Sequence, residues 1–229
     1  MSDYLWGETV SAAKKVADKY GCKPQHLLAV AEVESRCDPG LRNQPLIRVE
    51  RHYFKRYASA SQYSKAFNAG LLKNARRQRD RHANLRKLEA INRAAAYKSH
   101  SWGLMQVMGA NYEMLGYPSA EALVIRARSG PEGQFDIGAL FMAKAGILDD
   151  LVAGRLEAFA TRYNGPNWRQ NDYVNKLKKA LAKHKDVTIP APMSPSPVEP
   201  KPPVPPSAWG GIISAILAAL TAIWAWVSS

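Results

Sequence analysis

The sequence predicts a mainly α domain, then a proline-rich spacer, then a hydrophobic C-terminal helix. Three observations carry this reading. Apolar residues recur with helical period through most of residues 8–185. Nine of the 15 prolines fall within Val187–Pro206, a density that no packed element tolerates. Residues Ala208–Val227 (AWGGIISAILAALTAIWAWV) then run for 20 positions without a charge. The resulting boundaries are 1–186 for the folded domain, 187–207 for the spacer and 208–227 for the apolar helix.

Taken in order, helices are expected near 8–20, 25–35, 61–96, 104–114, 119–128, 132–153, 155–162 and 171–185. Pro24 suits the first turn of the second helix. Ser129-Gly-Pro-Glu132 has capping-box spacing ahead of Phe135, Ile137 and Leu140. Residues 45–54 (PLIRVERHYF) alternate weakly and leave room for a short β element. As polyproline, the 20 residues of Val187–Pro206 would reach roughly 60 Å. A helix over Ala208–Val227 would span about 30 Å, the thickness of a bilayer's apolar core. Trp209, Trp224 and Trp226 sit at its ends, where interfacial aromatics belong. Ser214, Ala218 and Ala222 form a small-residue face on which two such helices could associate. The alternative for this segment is a buried hairpin or a partner-binding helix.

With 229 residues and 46% hydrophobic content, wholesale disorder is excluded, and two cysteines exclude a disulfide scaffold. Cys22 and Cys37 flank the second helix. A straight helix of that length holds its ends roughly 16 Å apart, too far for a disulfide, so free thiols are expected. No metal-ligand spacing or phosphate loop is present, and no cofactor is expected. The balance of 32 Lys+Arg against 19 Asp+Glu gives +13. Such a chain should meet polyanions: nucleic acid, an anionic membrane or an acidic envelope polymer. Nine of the cations lie in 71–100, with too few aromatics for a single-strand stacking platform. They form either the solvated face of a long helix or an electrostatic grip.

Within Pro24–Ser35 the helical wheel separates two carboxylates. With Leu27 at 0°, Glu34 falls near 340°, inside the apolar arc of Val30 and Ala31, at about 100° per residue. Glu32 falls near 140°, toward solvent. A carboxyl drawn into an apolar site stays protonated near neutrality, as a general acid for glycosidic cleavage must. The competing reading pairs Glu34 with Arg36 or Arg48.

Three short motifs bear on that choice. Glu34-Ser35-Arg36-Cys37-Asp38-Pro39 resembles the Glu-Ser-x-x-x-Pro motif of goose-type lysozymes and soluble lytic transglycosylases. Ser101-Trp102-Gly103-Leu104-Met105-Gln106 resembles their Gly-Leu-Met-Gln motif, and Tyr163-Asn164-Gly165-Pro166 is similar to their Tyr-Asn-Ala-Gly-Pro, one residue short. The match is closer to the phage N-acetylmuramidase endolysins, to which Val49-Glu50-Arg51-His52 adds a further block. The resemblance implies a lysozyme-like fold that cleaves the β-1,4 bond between N-acetylmuramic acid and N-acetylglucosamine of bacterial peptidoglycan. It implies Glu34 as the acid and Ser35, Ser101 and Gln106 along the groove. It also implies Tyr163 with its hydroxyl near the catalytic carboxyl, and Asn164 shaping that turn.

Glu50 is the candidate for the second carboxylate that activates water, or else it orients Arg48, Arg51 or His52. Lytic transglycosylases dispense with a second carboxylate and leave 1,6-anhydro ends, chemistry the motifs do not exclude. The biological role this implies is host-cell lysis by a phage enzyme. The tail would hold it at the periplasmic face of the host inner membrane, and no cleavable signal is visible in MSDYLWGETVSAAKK. Rivals from another class are a membrane-tethered nucleic-acid-binding protein, which salt-dependent DNA binding without glycan cleavage would reveal, and a membrane or virion structural component with a dead lysozyme fold, against which the motif residues stand intact; no nucleic-acid partner is expected.

Overall fold

The computed structural model describes residues 3–41 and 43–188. They lie within a compact unit, Met1–Pro190. The proline-rich spacer and the apolar segment 208–227 fall outside the described residues, apart from the first two positions of the spacer. Among the described residues, no helix is long and apolar enough to cross a membrane.

The order is α1 (Asp3–Tyr20), α2 (Pro24–Ser35), β1 (Ile47–Val49), α3 (Arg51–Tyr57), α4 (Ala60–Asn68) and α5 (Gln78–Lys98). Then come β2 (His100–Trp102), β3 (Val107–Met108), a 3-10 turn (Gly109–Tyr112), α6 (Ala120–Arg128) and α7 (Pro131–Lys144). The chain closes with α8 (Leu148–Val152), α9 (Leu156–Tyr163), a second 3-10 turn (Pro166–Arg169) and α10 (Tyr173–Lys183). The domain is mainly helical with one small antiparallel sheet in the order β1-β2-β3.

The core forms around α2. Leu27, Leu28, Ala29, Val30 and Ala31 are all fully buried, so this helix is covered on every side. Helix α1 packs against α2 and α7, and α10 lies along α2. Burying one such Leu or Val contributes about 1.5–3 kcal/mol, which makes the run a strong local nucleus for the core. Helix α2 ends because Arg36 and Cys37 both turn left-handed, at φ 58° and 56°. Their N–H groups donate back to the carbonyls of Glu32 and Ala31. Two consecutive non-glycine residues in that region are costly, roughly 1–2 kcal/mol each. The turn leaves Glu34 and Ser35 as the last helical residues.

Three expected helices are corrected. The span 61–96 divides into α4 and α5, with Gly70 at φ 69° ending the first. Within α5, Asn92 leaves the helix and its side chain accepts from the Ala95 N–H, capping the final turns afresh. The span 104–114 is a tight turn, a strand and a 3-10 turn. Gly103 at φ 71° and Gln106 at φ 46° reverse the chain there, and the apolar residues that mimic a helical period are buried by the turn. The span 132–153 breaks at Gly146, giving α7 and α8. Helix α7 begins where expected, but without the capping box: Gly130 occupies the cap, and the Ser129 hydroxyl donates back to Arg126 O at 2.8 Å.

Strand β1 is one edge of the sheet, and side chains close it. Asn74 accepts from the Val49 N–H and donates to the Val49 carbonyl, both at 2.9 Å. Gln78 accepts from the Ile47 N–H at 3.1 Å, and Arg81 donates to the Ile47 carbonyl at 3.0 Å. All four outward backbone groups of Ile47 and Val49 are thereby satisfied. The segment that reads as a run of surface charge therefore holds the strand in place. Ile47 and Val49 point into the core, and Arg48 between them points outward.

Candidate active site

Glu34, at the end of α2, sits in a cleft of about 540 Å³. The facing wall is built from β1, the start of α3 and the turn after β2, and it contributes Arg48, Glu50, His52, Tyr53, Ser101 and Gln106. Leu46, Gln78, Arg81, Met108, Tyr163, Asn164 and Asn171 complete the lining.

Burial raises the Glu34 carboxyl from its ordinary 4.5 to about 7; the Tyr173 hydroxyl and the charge of Arg48 pull it partly back. Tyr173 donates to Glu34 Oε1 at 2.8 Å. Its own proton is held firmly, because burial, together with the neighbouring carboxyl, keeps the phenol well above its usual range. Glu34 is thus protonated over much of the neutral range, next to a fixed donor that holds its orientation.

Glu50 lies in the same cleft, at the junction of β1 and α3. Its N–H donates to the Ser99 carbonyl at 2.8 Å, and its Oε1 is 3.2 Å from Arg48 Nε. The carboxylate is about a third exposed, at 31%. Among the lining residues, Glu34 and Glu50 are the two carboxylates.

The other sequence candidates divide. Ser101 and Gln106 meet: the Ser101 hydroxyl donates to Gln106 Oε1 at 2.8 Å. Gln106 Nε2 in turn donates to Gly103 O at 2.7 Å and Leu46 O at 3.3 Å. The amide is therefore committed to bracing the turn that forms the cleft wall. Gly103 has no room for a side chain, since a Cβ there would lie 2.7 Å from Gln134.

Asn164 ends α9 and lines the cleft. Ser35 does not line it. Its buried hydroxyl donates to the Ala31 carbonyl at 2.9 Å, within its own helix. Tyr163 reaches the cleft, but its hydroxyl donates to Met105 O at 2.7 Å. The hydroxyl bonded to the Glu34 carboxyl belongs to Tyr173, which sequence reasoning missed. The available signal was faint: Tyr173 heads the buried stripe of Leu177 and Ala180 in an otherwise basic helix.

Glu32 is not turned freely to solvent, as the helical wheel suggests. Its Oε1 accepts from Lys183 Nζ at 2.9 Å, and its Oε2 is 3.4 Å from His184 Nε2. Burial pushes this carboxyl up, but Lys183 above all, with Cys37 and His184, outweighs it and holds Glu32 below its usual range. Glu32, Cys37 and His184 place their ligand atoms within 4.8 Å of one another, the one metal-capable set among the described residues. It lies off the cleft, and the Lys183 ammonium already serves the carboxylate. Cys22 and Cys37 are free thiols, and burial raises both.

The comparisons with known proteins concern the domain that carries this cleft. The crystal structure of the Burkholderia AP3 phage endolysin aligns with a TM-score of 0.65 at 28% identity, over 78% of this chain and 71% of that one. No curated protein matches. The family model described as N-acetylmuramidase matches residues 23–185, which include all of α2, the sheet and α10. The chain belongs to the N-acetylmuramidase family and is a glycoside hydrolase of peptidoglycan.

Proposed function

We propose that this protein hydrolyses the β-1,4 bond between N-acetylmuramic acid and N-acetylglucosamine with Glu34 as the general acid. The observation that carries this reading is the single cleft holding two carboxyl groups in opposite settings. Glu34 is sequestered, protonated near neutrality and held by Tyr173. Glu50 is ion-paired and partly open to solvent. Such a pair divides the labour of glycoside hydrolysis. The protonated carboxyl gives its proton to the leaving glycosidic oxygen, and the ionised one draws a proton from the attacking water. Arg48 lies between the two roles: it pairs with Glu50, and its charge bears on Glu34. Tyr173 is a positioning residue, because its hydroxyl acts on Glu34 and not on the sugar. Ser101, Gln106, Tyr163 and Asn164 shape the wall against which the glycan lies. Ser35 supports α2 from behind.

We further propose that the proline-rich spacer and the apolar segment hold this domain at the periplasmic face of a host inner membrane, for lysis by a phage. Support for that part comes from the sequence: 20 uncharged residues flanked by tryptophans, after a spacer long enough to reach outward. Pairing of tail helices through the Ser214/Ala218/Ala222 face belongs to the same proposal.

The deciding experiment is mass spectrometry of the fragments released from purified sacculi, with Glu34→Gln alongside the wild type. Ordinary reducing N-acetylmuramic ends, lost in Glu34→Gln and in Glu50→Gln, are the expected result. Fragments lighter by one water would show transglycosylase chemistry and return Glu50 to holding Arg48. Equal cleavage by Glu34→Gln would place the acid elsewhere. For the tail, full-length protein should float with lipid vesicles and a chain ending at Lys185 should not.

A further inference from the structure

One end of the cleft continues onto a surface that the chemistry above does not use. Tyr53 lines the cleft, and its ring is 6.3 Å from that of Tyr57, one turn further along α3. Beyond Tyr57 stands Lys98, the last residue of α5. Its ammonium lies 5.0 Å from the Tyr57 ring centre and 5.1 Å from that of Tyr112, in the 3-10 turn after β3. Three separate elements thus bring two aromatic rings to about 5 Å from one cation. All three side chains are half-buried. Among the described residues, no carboxylate lies within ion-pair distance of Lys98, while Glu113 nearby is taken by the Tyr112 hydroxyl at 2.6 Å. Arg56 over Tyr53, at 5.5 Å, adds a second positive charge along the path.

We infer that this Tyr57–Lys98–Tyr112 clamp binds the acidic peptide stem of the substrate, next to the glycan strand in the cleft. The inference rests on the muramidase reading. Its chemistry is that of a short peptide with small apolar side chains and free carboxylates. The tyrosine faces accept the methyl groups, and the ammonium, already placed, accepts a carboxylate. In intact peptidoglycan the lactyl carboxyl of each muramyl residue is tied up as an amide, so the available anions belong to the stem. Continuity with the cleft through Tyr53 puts the clamp where a substituent of a bound strand would project. The pairing of rings and cation also distinguishes this patch from the lysines scattered over α10, which have no aromatic partners at such distances among the described residues.

The test compares KM on soluble, uncross-linked glycan strands bearing their peptides with KM on the same strands stripped by an amidase, using the full chain. The expected wild-type result is a KM roughly three- to fivefold lower on peptide-bearing strands, the size of one half-exposed charge pair. In Lys98→Met, which keeps the apolar stem and removes the charge, the ratio should fall to about one, and in Lys98→Arg it should be retained. Tyr57→Leu should reduce the ratio as well, and it carries the test should Lys98→Met fail to fold. A wild-type ratio of one, or the same ratio in Lys98→Met and Tyr57→Leu as in wild type, overturns the clamp while leaving the catalytic assignment standing. A wild type that cuts neither strand overturns the muramidase reading, and the clamp with it.

Discussion

Glu32 and Glu34 stand two residues apart on one helix, and the fold treats them in opposite ways. Both are partly withdrawn from water, and burial alone would raise both. Glu32 ends below its usual range because Lys183 and His184 reach it from the far end of α10. Glu34 ends near 7 because its burial outweighs what opposes it: the same helix offers, from its first turn, only the hydroxyl of Tyr173, and the guanidinium of Arg48 acts from a distance. The lesson is that proximity to a basic helix does not set a carboxyl's charge; the partner that makes contact does. An ammonium in contact makes a strut, and a phenol in contact leaves an acid with a proton to give.

The largest effect should come from removing that proton. Glu34→Gln is expected to lower kcat on peptidoglycan at least about a hundredfold, the usual contribution of a general acid, while Glu32→Gln stays within about twofold. Equal losses from the two would break the comparison.

Next comes pH. If Glu34 is the general acid proposed above, its protonated form is the one that acts, and kcat/KM should fall as pH rises through about 7. The Tyr173 hydroxyl favours the charged carboxyl, so Tyr173→Phe should move that limb to higher pH. A limb that moves down instead would deny Tyr173 its contact.

Stability should respond with the opposite sign at the two sites. Glu34 binds its proton more tightly folded than unfolded, so its burial costs nothing below about pH 4.5 and progressively more as pH rises through about 7. Glu34→Gln should therefore stabilise the protein at pH 8, by up to about 3 kcal/mol, and change little at pH 4. Glu32 contributes in the other direction: its folded carboxyl titrates below its ordinary value, so its stabilisation is present above that value and is lost on acidification. Lys183→Met should then cost about 1 kcal/mol at neutral pH, because the ammonium is mostly exposed, and less in acid. Thermal melts across pH check both.

How much of this was legible in the sequence follows from which contacts are local. The inward direction of Glu34 is legible from the wheel of α2, where it follows Leu27, Val30 and Ala31, even though Leu28 and Ala29 bury the other faces of that helix as well. Glu32 was misjudged for a non-local reason: Lys183 and His184 lie some 150 residues away, and no period within α2 announces them. Tyr173 is hidden for the same reason: Tyr163, the tyrosine of the motif, has its phenol raised by burial and by the nearby Glu34, but the hydrogen bond to Glu34 comes from Tyr173. The motif pointed to the tyrosine in Tyr-Asn-Gly-Pro, but its hydroxyl is used by the Met105 carbonyl, which leaves Glu34 to the tyrosine that opens α10. The helices at 61–96 and 104–114 were overextended because apolar spacing continued across breaks set by single backbone conformations, at Gly70, Asn92, Gly103 and Gln106.

The side chains bracketing β1 have a consequence beyond this domain's own cleft. An exposed strand with free amides and carbonyls is a template on which another chain can add a strand of its own. Here Asn74, Gln78 and Arg81 fill every outward bonding position of Ile47 and Val49, so the edge offers a second copy nothing to extend. The three-stranded sheet is in effect terminated by amide and guanidinium groups instead of by a fourth strand. Cutting one of these side chains back would leave an outward backbone group of β1 unpaired, open to a strand from another copy.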